Sequence, residues 1–305
     1  MVKHLIEAQQ LTPEILMKFF NRAEQLRNVQ EQTLKGKVLT TLFYEPSTRT
    51  RLSFESAMLK LGGSVMGTEN AKEFSSTSKG ESLVDTIRII SAYSDAIVMR
   101  TSEEGSARIA SKVSSVPIIN GGDGKGQHPT QTILDAYTIY KEIGRLDNFT
   151  IAMVGDLASG RTIRSLCYLL GKFSGIKIFF VSPKNLAIGD DIKEYLTRHG
   201  VMFSEVDELE SALPKSDIIY MTRIQKERIP LEVYEEAKGK FVLNNSNLYL
   251  VKPEARILHP LPHVEELDFT VETETEDKRI AYLRQAENGL YVRMAILEDL
   301  MIDNY

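Results

Sequence analysis

The chain has 305 residues, with 37 Lys and Arg against 42 Asp and Glu, for a formal net charge of −5. The length suggests about two domains, and the acidic balance argues against nucleic acid as a main partner. A single cysteine, Cys167, excludes an internal disulfide and fits a reducing compartment. The N-terminal residues lack the apolar run of a signal peptide, and no stretch approaches the ~20 apolar residues that span a bilayer. The expectation is therefore a cytoplasmic protein with no membrane partner, in which a cluster of Arg and Lys is local and has a purpose.

The first helix is predicted from Pro13, with Thr12 as N-cap and Ile15, Leu16, Phe19 and Phe20 as its apolar stripe. KVLTTLFY (37–44) reads as a buried strand. The helix that follows carries Leu52, Phe54, Ala57, Met58 and Leu61 and stops at Gly62-Gly63. A short helix is expected near Ser78, with Ser78 and Glu81 as a capping box. Then come a strand at 96–100, a helix near 105–113 and a strand at 116–120. The glycine-rich loop GGDGKGQ (121–127) leads into a helix from about Pro129 to Ile143, which Gly144 ends.

A second run of the same kind follows. Strands are expected at 149–155, 176–183, 201–203, 217–221 and 241–244, with helices at 161–173, 190–199 and 207–213. ARILHPLP (255–262) runs out into prolines, ETETED (272–277) reads as a solvated loop, and 276–301 as long helical material. Strand–helix alternation is the pattern of parallel α/β sheets. The expected fold is α/β. It has two doubly wound domains, each a parallel sheet flanked by helices, with the C-terminal helix returning to the first. The boundaries expected are 1–135 together with about 286–305, and 136–285.

The stretch EPSTRTRLSFESA (45–57) gathers three hydroxyls and two arginines at a helix start after a strand. Free N–H groups and the helix dipole point at an anion there, hydroxyls add donors, and Arg adds a planar fork. An ordinary helix start with solvent-exposed arginines is the plainer alternative. GDGKGQ lacks the Walker A spacing, and GDLASG (155–160) is not G-x-G-x-x-G, so neither signals a nucleotide. Arg161 opens the helix after GDLASG, a second place for an anion. Glu45 would repel a ligand unless paired, and Arg161, Arg223 and Arg228 of the second domain are the expected partners.

His259 and His263 have the H-x-x-x-H spacing of a helical zinc site, but Pro260 and Pro262 forbid that helix, so no metal is expected. His128, just before Pro129, sits at a helix start. It is either a plain loop histidine or one that polarises a carbonyl or moves a proton, and the residues alone leave both open.

FYEPSTRTRLSFESA, SSTSKGESLVDTI, VMR, HPTQTILD, GDLASGRT, TRIQKER and HPLP stand in the order found in aspartate carbamoyltransferases, and the chain resembles that branch of the transcarbamylase family almost from end to end. S-T-R-T-R with H-P-x-Q is specific to transcarbamylases. R-x-Q-K-E-R with H-P-L-P points to the aspartate branch, because the ornithine branch would place a cysteine where Pro260 stands. The resemblance implies transfer of a carbamoyl group from carbamoyl phosphate to the α-amine of L-aspartate, an early step of de novo pyrimidine biosynthesis, without a cofactor.

It also implies roles. Ser47, Thr48, Arg49, Thr50 and Arg100 would hold carbamoyl phosphate. Thr50, Arg100 and His128 would reach its carbonyl oxygen, and Gln131 its amino group. Arg49, Thr50, Arg100 and His128 are thus the catalytic set. Arg161, Thr162, Arg223, Gln225 and Lys79 would bind aspartate, and Pro260 and Leu261 would offer backbone carbonyls. Ser75 and Lys79 would arrive from a neighbouring chain, which implies a homotrimer with shared sites. A separate regulatory chain is left open. Two positions depart from the pattern: His263 stands where an arginine is usual, and Arg164 where a histidine is usual.

Overall fold

The computed structural model describes residues 3–29, 31–74 and 76–302. The chain divides into two compact units, 1–137 with 287–305, and 138–286.

In the first unit the apolar run Val38–Phe43 forms β1, buried at five of its six positions, as expected of a strand inside a parallel sheet. The entry helix α1 (Pro13–Asn28) precedes β1 and is capped by Thr12, whose side chain accepts from the Ile15 N–H. After β1 come α2 (Thr48–Lys60), β2 (Ser64–Thr68), α3 (Ala71–Phe74), α4 (Leu83–Ser91), β3 (Ala96–Thr101), α5 (Ser106–Val113), β4 (Ile118–Asp123) and α6 (Pro129–Ile143). The four strands are parallel in the order β2-β1-β3-β4. Leu5 adds a parallel bridge to Ile119. Ile6, Leu42, Ile87, Ile97, Met99 and Ile118 belong to this unit's buried core.

The second unit contains β5 (Thr150–Val154), α7 (Arg161–Leu170), β6 (Lys177–Val181), α8 (Asp190–Arg198), β7 (Met202–Val206), α9 (Leu209–Ala212), β8 (Ile218–Met221), α10 (Leu231–Ala237), β9 (Leu243–Asn244), β10 (Arg256–Leu258), β11 (Leu267–Asp268) and α11 (Val271–Glu276). Five strands are parallel in the order β10-β8-β5-β6-β7, and β9 pairs with β11 separately. Val154, Val181, Ile219, Met221, Leu243 and Ile257 lie in its core.

Both main sheets reverse direction once. The first grows from β1 to β2 on one side and then to β3 on the other. The second grows from β5 through β6 to β7, and then to β8 across from β6. Each reversal opens a crevice at the carboxyl ends of the strands, where open α/β sheets take ligands.

α12 (Tyr282–Ile302) begins in the second unit, and its residues from Glu287 onward belong to the first. There Arg27 donates to Asn288 Oδ1 at 2.6 Å, and Arg22 pairs with Glu298 at 2.6 Å. At the second-unit end Glu142 accepts from Arg256 Nε at 2.8 Å and from Arg284 at 2.7 and 3.0 Å.

Several elements differ from the reading of the sequence. β2 went unread because its residues alternate poorly and only two are even half-buried. The capping box at Ser78 and Glu81 is not the start of α4. Residues 76–79 form a 3-10 turn, Ser82 accepts from the Asp85 N–H, and Glu81 instead accepts from the Thr86 hydroxyl. ETETED is no loop: Thr270 accepts from the Thr273 N–H and starts α11. Gly121 to Asp123 extend β4, and the final helix starts at Tyr282, because Ile280 is drawn into a parallel bridge with Ile257.

Burial pushes the Glu142 carboxyl up, but the hydrogen bonds and charges of Arg284 and Arg256 outweigh it and leave it below its ordinary value of 4.5. A carboxylate with a depressed folded pKa adds stability above its unfolded pKa and loses it as pH falls through the folded one. The chain is therefore expected to lose stability on acidification below about 4.5, and Glu142→Gln to show a shallower fall there, as read from urea midpoints across that window and at neutral pH.

Candidate active site

The first half-site lies at the β1/β3 reversal. Ser47 takes the N-cap of α2 without a side-chain bond to the helix. Thr48 and Arg49 are exposed, Ser47 is half-buried, and Thr50 is buried. Arg100, near the end of β3, is half-buried, and its carbonyl accepts from the Tyr44 N–H at 2.8 Å. Its guanidinium Nε lies 3.5 Å from Glu45. Glu45 thus has a cationic neighbour within its own unit. The cause is the β1–β3 pairing, which sets Phe43 beside Arg100 and so brings the two loop starts together.

His128 precedes α6 and is buried. Its carbonyl accepts from the Gln131 and Thr132 N–H groups, so it acts as the N-cap. Its ring lies 3.5 Å from the Thr50 hydroxyl through Nε2 and 3.3 Å from the Thr130 hydroxyl through Nδ1. Gln131, buried one turn on, donates from Nε2 to Asp135 Oδ1 at 2.9 Å. Thr50, Arg100, His128 and Gln131 thus belong to one unit, with Ser47, Thr48 and Arg49 on the helix start beside them. The glycine loop before His128 is structural: Asp123 accepts from the Gln127 and Gly105 N–H groups.

Lys79 is exposed at the end of the 3-10 turn, and Ser75 lies outside the described residues.

The second half-site lies at the β5/β8 reversal. Gly155 follows β5 with φ +113°, and a Cβ there would collide with the Thr222 carbonyl, so the chain segments after β5 and β8 meet only because this residue is glycine. Arg161 and Thr162, both half-buried, open α7 behind Gly160, which has no side chain to cap it. Arg223 follows β8, and Gln225 is the N-cap of a 3-10 turn. The Arg223 fork grips Glu227, with Nη1 at 2.9 Å from Oε2 and Nη2 on Oε1. That pairing raises the Arg223 pKa and lowers that of Glu227. The charges of Glu266 and buried Asp156 act on Arg223 in the same direction. A cavity of about 160 Å³ lies beside Arg223, lined also by Thr222, Tyr234, Phe241 and Glu266.

Pro260 and Leu261 follow β10 in this second unit. Leu261 has φ 55°, a left-handed conformation uncommon outside glycine, and the Leu261–Pro262 bond is cis. The Leu261 N–H donates to His259 Nδ1 at 2.7 Å. An Nδ1 that accepts leaves the ring proton on Nε2, which donates to Glu266 Oε1 at 2.8 Å. Burial pushes the Glu266 carboxyl up, but this bond and the Val264 N–H hold it below its ordinary value. His259, Glu266 and Glu227 were not read from the sequence as parts of the site. The signal available was local for only one of them: Glu227 stands four residues after Arg223. His263, in place of an arginine, lies in an edge contact with His259 and 5.5 Å from the Tyr282 ring. Arg164 pairs with Asp191 on the surface.

Each unit thus carries a set of polar residues at the reversal of its own parallel sheet. The family model for the carbamoyl-phosphate-binding domain of aspartate/ornithine carbamoyltransferases matches residues 3–141, and that for the Asp/Orn-binding domain matches 147–300. Aspartate carbamoyltransferase 1 of Pisum sativum is 52% identical over 98% of this chain and 78% of its own length. The catalytic subunit from Methanocaldococcus jannaschii is 48% identical over 99% of both chains. Its kind of subunit in a crystal structure superposes with a TM-score of 0.90 at 46% identity, over 99% of each chain. The Trypanosoma cruzi enzyme, solved with carbamoyl phosphate and aspartate, gives 0.90 at 36% identity, over 96% and 95%. The chain belongs to the aspartate/ornithine carbamoyltransferase family, on its aspartate branch.

His259→Phe would leave the buried Glu266 carboxylate and the Leu261 N–H without their partner. It is expected to cost about 3 kcal/mol, read as a lower urea midpoint, and His259→Asn, which can still donate and accept, is expected to cost less.

Proposed function

We propose that the chain transfers the carbamoyl group of carbamoyl phosphate to the α-amine of L-aspartate, giving N-carbamoyl-L-aspartate and phosphate, in the early part of pyrimidine synthesis. The observation that carries this reading is the β1/β3 crevice. There a helix start bearing Ser47, Thr48, Arg49 and Thr50 stands at the strand ends with Arg100, and the Thr50 hydroxyl lies 3.5 Å from the His128 ring. Such a set suits a dianionic phosphate next to a carbonyl oxygen that gains charge.

Carbamoyl phosphate and aspartate together bring about three negative charges. Arg49, Arg100, Arg161, Arg223 and Lys79 oppose them, which leaves Glu45 tolerable beside Arg100. The neutral amine attacks the carbamoyl carbon. The oxyanion that forms is met by donors from Thr50, Arg100 and His128, and the loss of one such donor costs roughly 10²–10³ in rate. The carbon–oxygen bond to phosphate then breaks, and the departing phosphate takes the amine proton, so no protein base is needed. Gln131 holds the carbamoyl amino group. Arg161, Thr162, Arg223 and Gln225 hold the aspartate carboxylates, and Pro260 and Leu261 offer carbonyls. Holding both substrates in register supplies much of the remaining acceleration.

The proposal extends to assembly as a homotrimer in which Lys79 and Ser75 serve a neighbour's site. Its support is the exposure of Leu52 and Leu59, one beside the other on α2, and of Met66 on the edge strand β2. The chemistry itself calls on no separate regulatory chain. The proposed location is the cytoplasm, supported by the buried thiol of Cys167, which contacts Met153 Sδ at 3.7 Å and suits a reducing compartment.

Purified protein is expected to release phosphate from carbamoyl phosphate with aspartate and not with ornithine. Equal release with both would overturn the branch assignment. Mixing an Arg49→Ala chain with a Lys79→Ala chain is expected to regain activity when subunits exchange. No recovery after exchange, shown by mass labelling, would mean that each chain's site is self-contained.

A further inference from the structure

The N-terminal segment lies against the loop that carries His128. The Leu5 N–H donates to the Ile118 carbonyl at 2.9 Å, and the Leu5 carbonyl accepts from the Asn120 N–H at 2.8 Å, so the segment runs beside β4. Asn120 Nδ2 donates to the Ile6 carbonyl at 2.9 Å, and His4 Nδ1 accepts from the Ile118 N–H at 3.0 Å. Gln10 folds the segment on itself. Its Oε1 accepts from the Ile6 and Glu7 N–H groups at 2.7 and 2.9 Å, and its Nε2 donates to the His4 carbonyl at 2.8 Å. Leu5, Ala8 and Leu11 are buried. The segment is thus a firm part of the first unit, and it closes in a short 3-10 turn, Ala8–Gln10.

The first N–H of a helical turn has no partner within the turn. That of Ala8 donates to Gln127 Oε1 at 2.7 Å. An amide whose oxygen is committed turns its NH2 the other way, and Gln127 Nε2 donates to Gln9 Oε1 at 2.7 Å. The Gln127 backbone is held too: its N–H donates to Asp123 Oδ1 at 2.8 Å, and its carbonyl accepts from the Asp123 N–H at 3.3 Å. Four of the six residues at 121–126 are glycines, whose backbones have the most freedom to lose, so this loop needs such anchors. Gln127 directly precedes His128. His128 precedes Pro129, which disfavours a helical backbone for it, and the Gln131 and Thr132 N–H groups fix its carbonyl. What holds Gln127 therefore places the His128 ring. Its Nε2 stands 3.5 Å from the Thr50 hydroxyl, at the outer limit of a hydrogen bond, so a shift of a fraction of an ångström breaks that contact. We propose that Gln127 is a positioning residue for His128, and that the N-terminal segment is the fixed point against which Gln127 holds it. The inference rests on the reading of this half-site given above. A donor to an oxyanion works because its geometry is set before charge develops, and this strap sets it.

The test measures kcat for carbamoyl transfer to aspartate per folded chain, with the folded fraction taken from circular dichroism of the full-length protein. Gln127→Met keeps the length of the side chain and loses both of its hydrogen bonds. It is expected to lower kcat by about 10- to 100-fold, the scale of a small misplacement of a reacting group, with the KM for aspartate little changed. Ala8→Pro deletes the same bond from its other end. Glu7 already has the extended backbone, φ −147°, that a following proline requires, and proline suits the first position of a helical turn. It is expected to lower kcat in the same way, and the double variant to fall little further than Gln127→Met alone, because both changes remove one bond. Gln127→Glu, which can still accept from the Ala8 N–H, is expected to regain much of the rate. A merely structural role would lower the folded fraction and leave kcat per folded chain unmoved. Should Gln127→Met not fold, Ala8→Pro carries the test by itself. A folded variant of either kind with the wild-type kcat, or losses that add fully in the double variant, overturns the inference alone. A wild-type chain that makes no carbamoyl-aspartate overturns the reading of the half-site, and the inference with it.

Discussion

Anion binding by an acidic protein depends on a local reversal of sign, and two sheet reversals have the geometry suited to it. At the carboxyl edge of a parallel strand, the chain turns into a helix whose first N–H groups have no partner within the helix. α2 and α7 begin in this way at the β1/β3 and β5/β8 crevices, headed by Ser47 and by Gly160. Neither helix is capped by its own N-cap side chain. Arginines at or after the strand ends, Arg49, Arg100, Arg161 and Arg223, then add full charges to the partial charges of the backbone. A net charge of −5 over the chain is compatible with this because the field at a crevice is set by what lies within a few ångströms.

Such a concentration of cations needs anions that hold it in shape without cancelling it. Arg100 stands by Glu45, and Arg223 is gripped by Glu227 in a two-pronged pair. Two-pronged geometry fixes the plane of the guanidinium, which a single contact would leave free. The neutral members are oriented in the same manner. His259 spends its Nδ1 on the Leu261 N–H and its Nε2 proton on Glu266, and so holds the residue at φ 55°. Gln131 is oriented by Asp135. Arg223, Leu261 and Gln131 are thus each held by a neighbouring side chain.

Much of the fold was legible in the order of residues. β1, β3, β5, β6 and β8 are nearly unbroken apolar runs, which is how strands inside a parallel sheet read. Thr12-Pro13 marked α1, and the S-T-R-T-R cluster marked both a helix start and a positive one. The edge strand β2 was invisible because an exposed edge has no burial pattern to impress on its sequence. The start of α4 was misplaced by four residues because serine is common in the stretch from Ser76 to Ser82, and only the folded turn selects which one caps. α11 was missed because acidic and threonine residues favour loops, and its Thr270 cap counts only once the preceding strand is in place.

The sequence by itself determined the α/β class, the helix starts suited to anions and the family to which the chain belongs. These follow from local periodicity, from hydrogen-bonding groups at helix ends and from motifs short enough to be read in one dimension. Tertiary structure alone decided who orients whom. Arg100 reaches Glu45 across 55 positions of sequence only because β1 and β3 are neighbours, and Arg293 reaches the Phe54 ring only because α12 comes back to the first unit. Partners so far apart along the chain leave no spacing to read, since their distance is set by strand order and by the return of a helix.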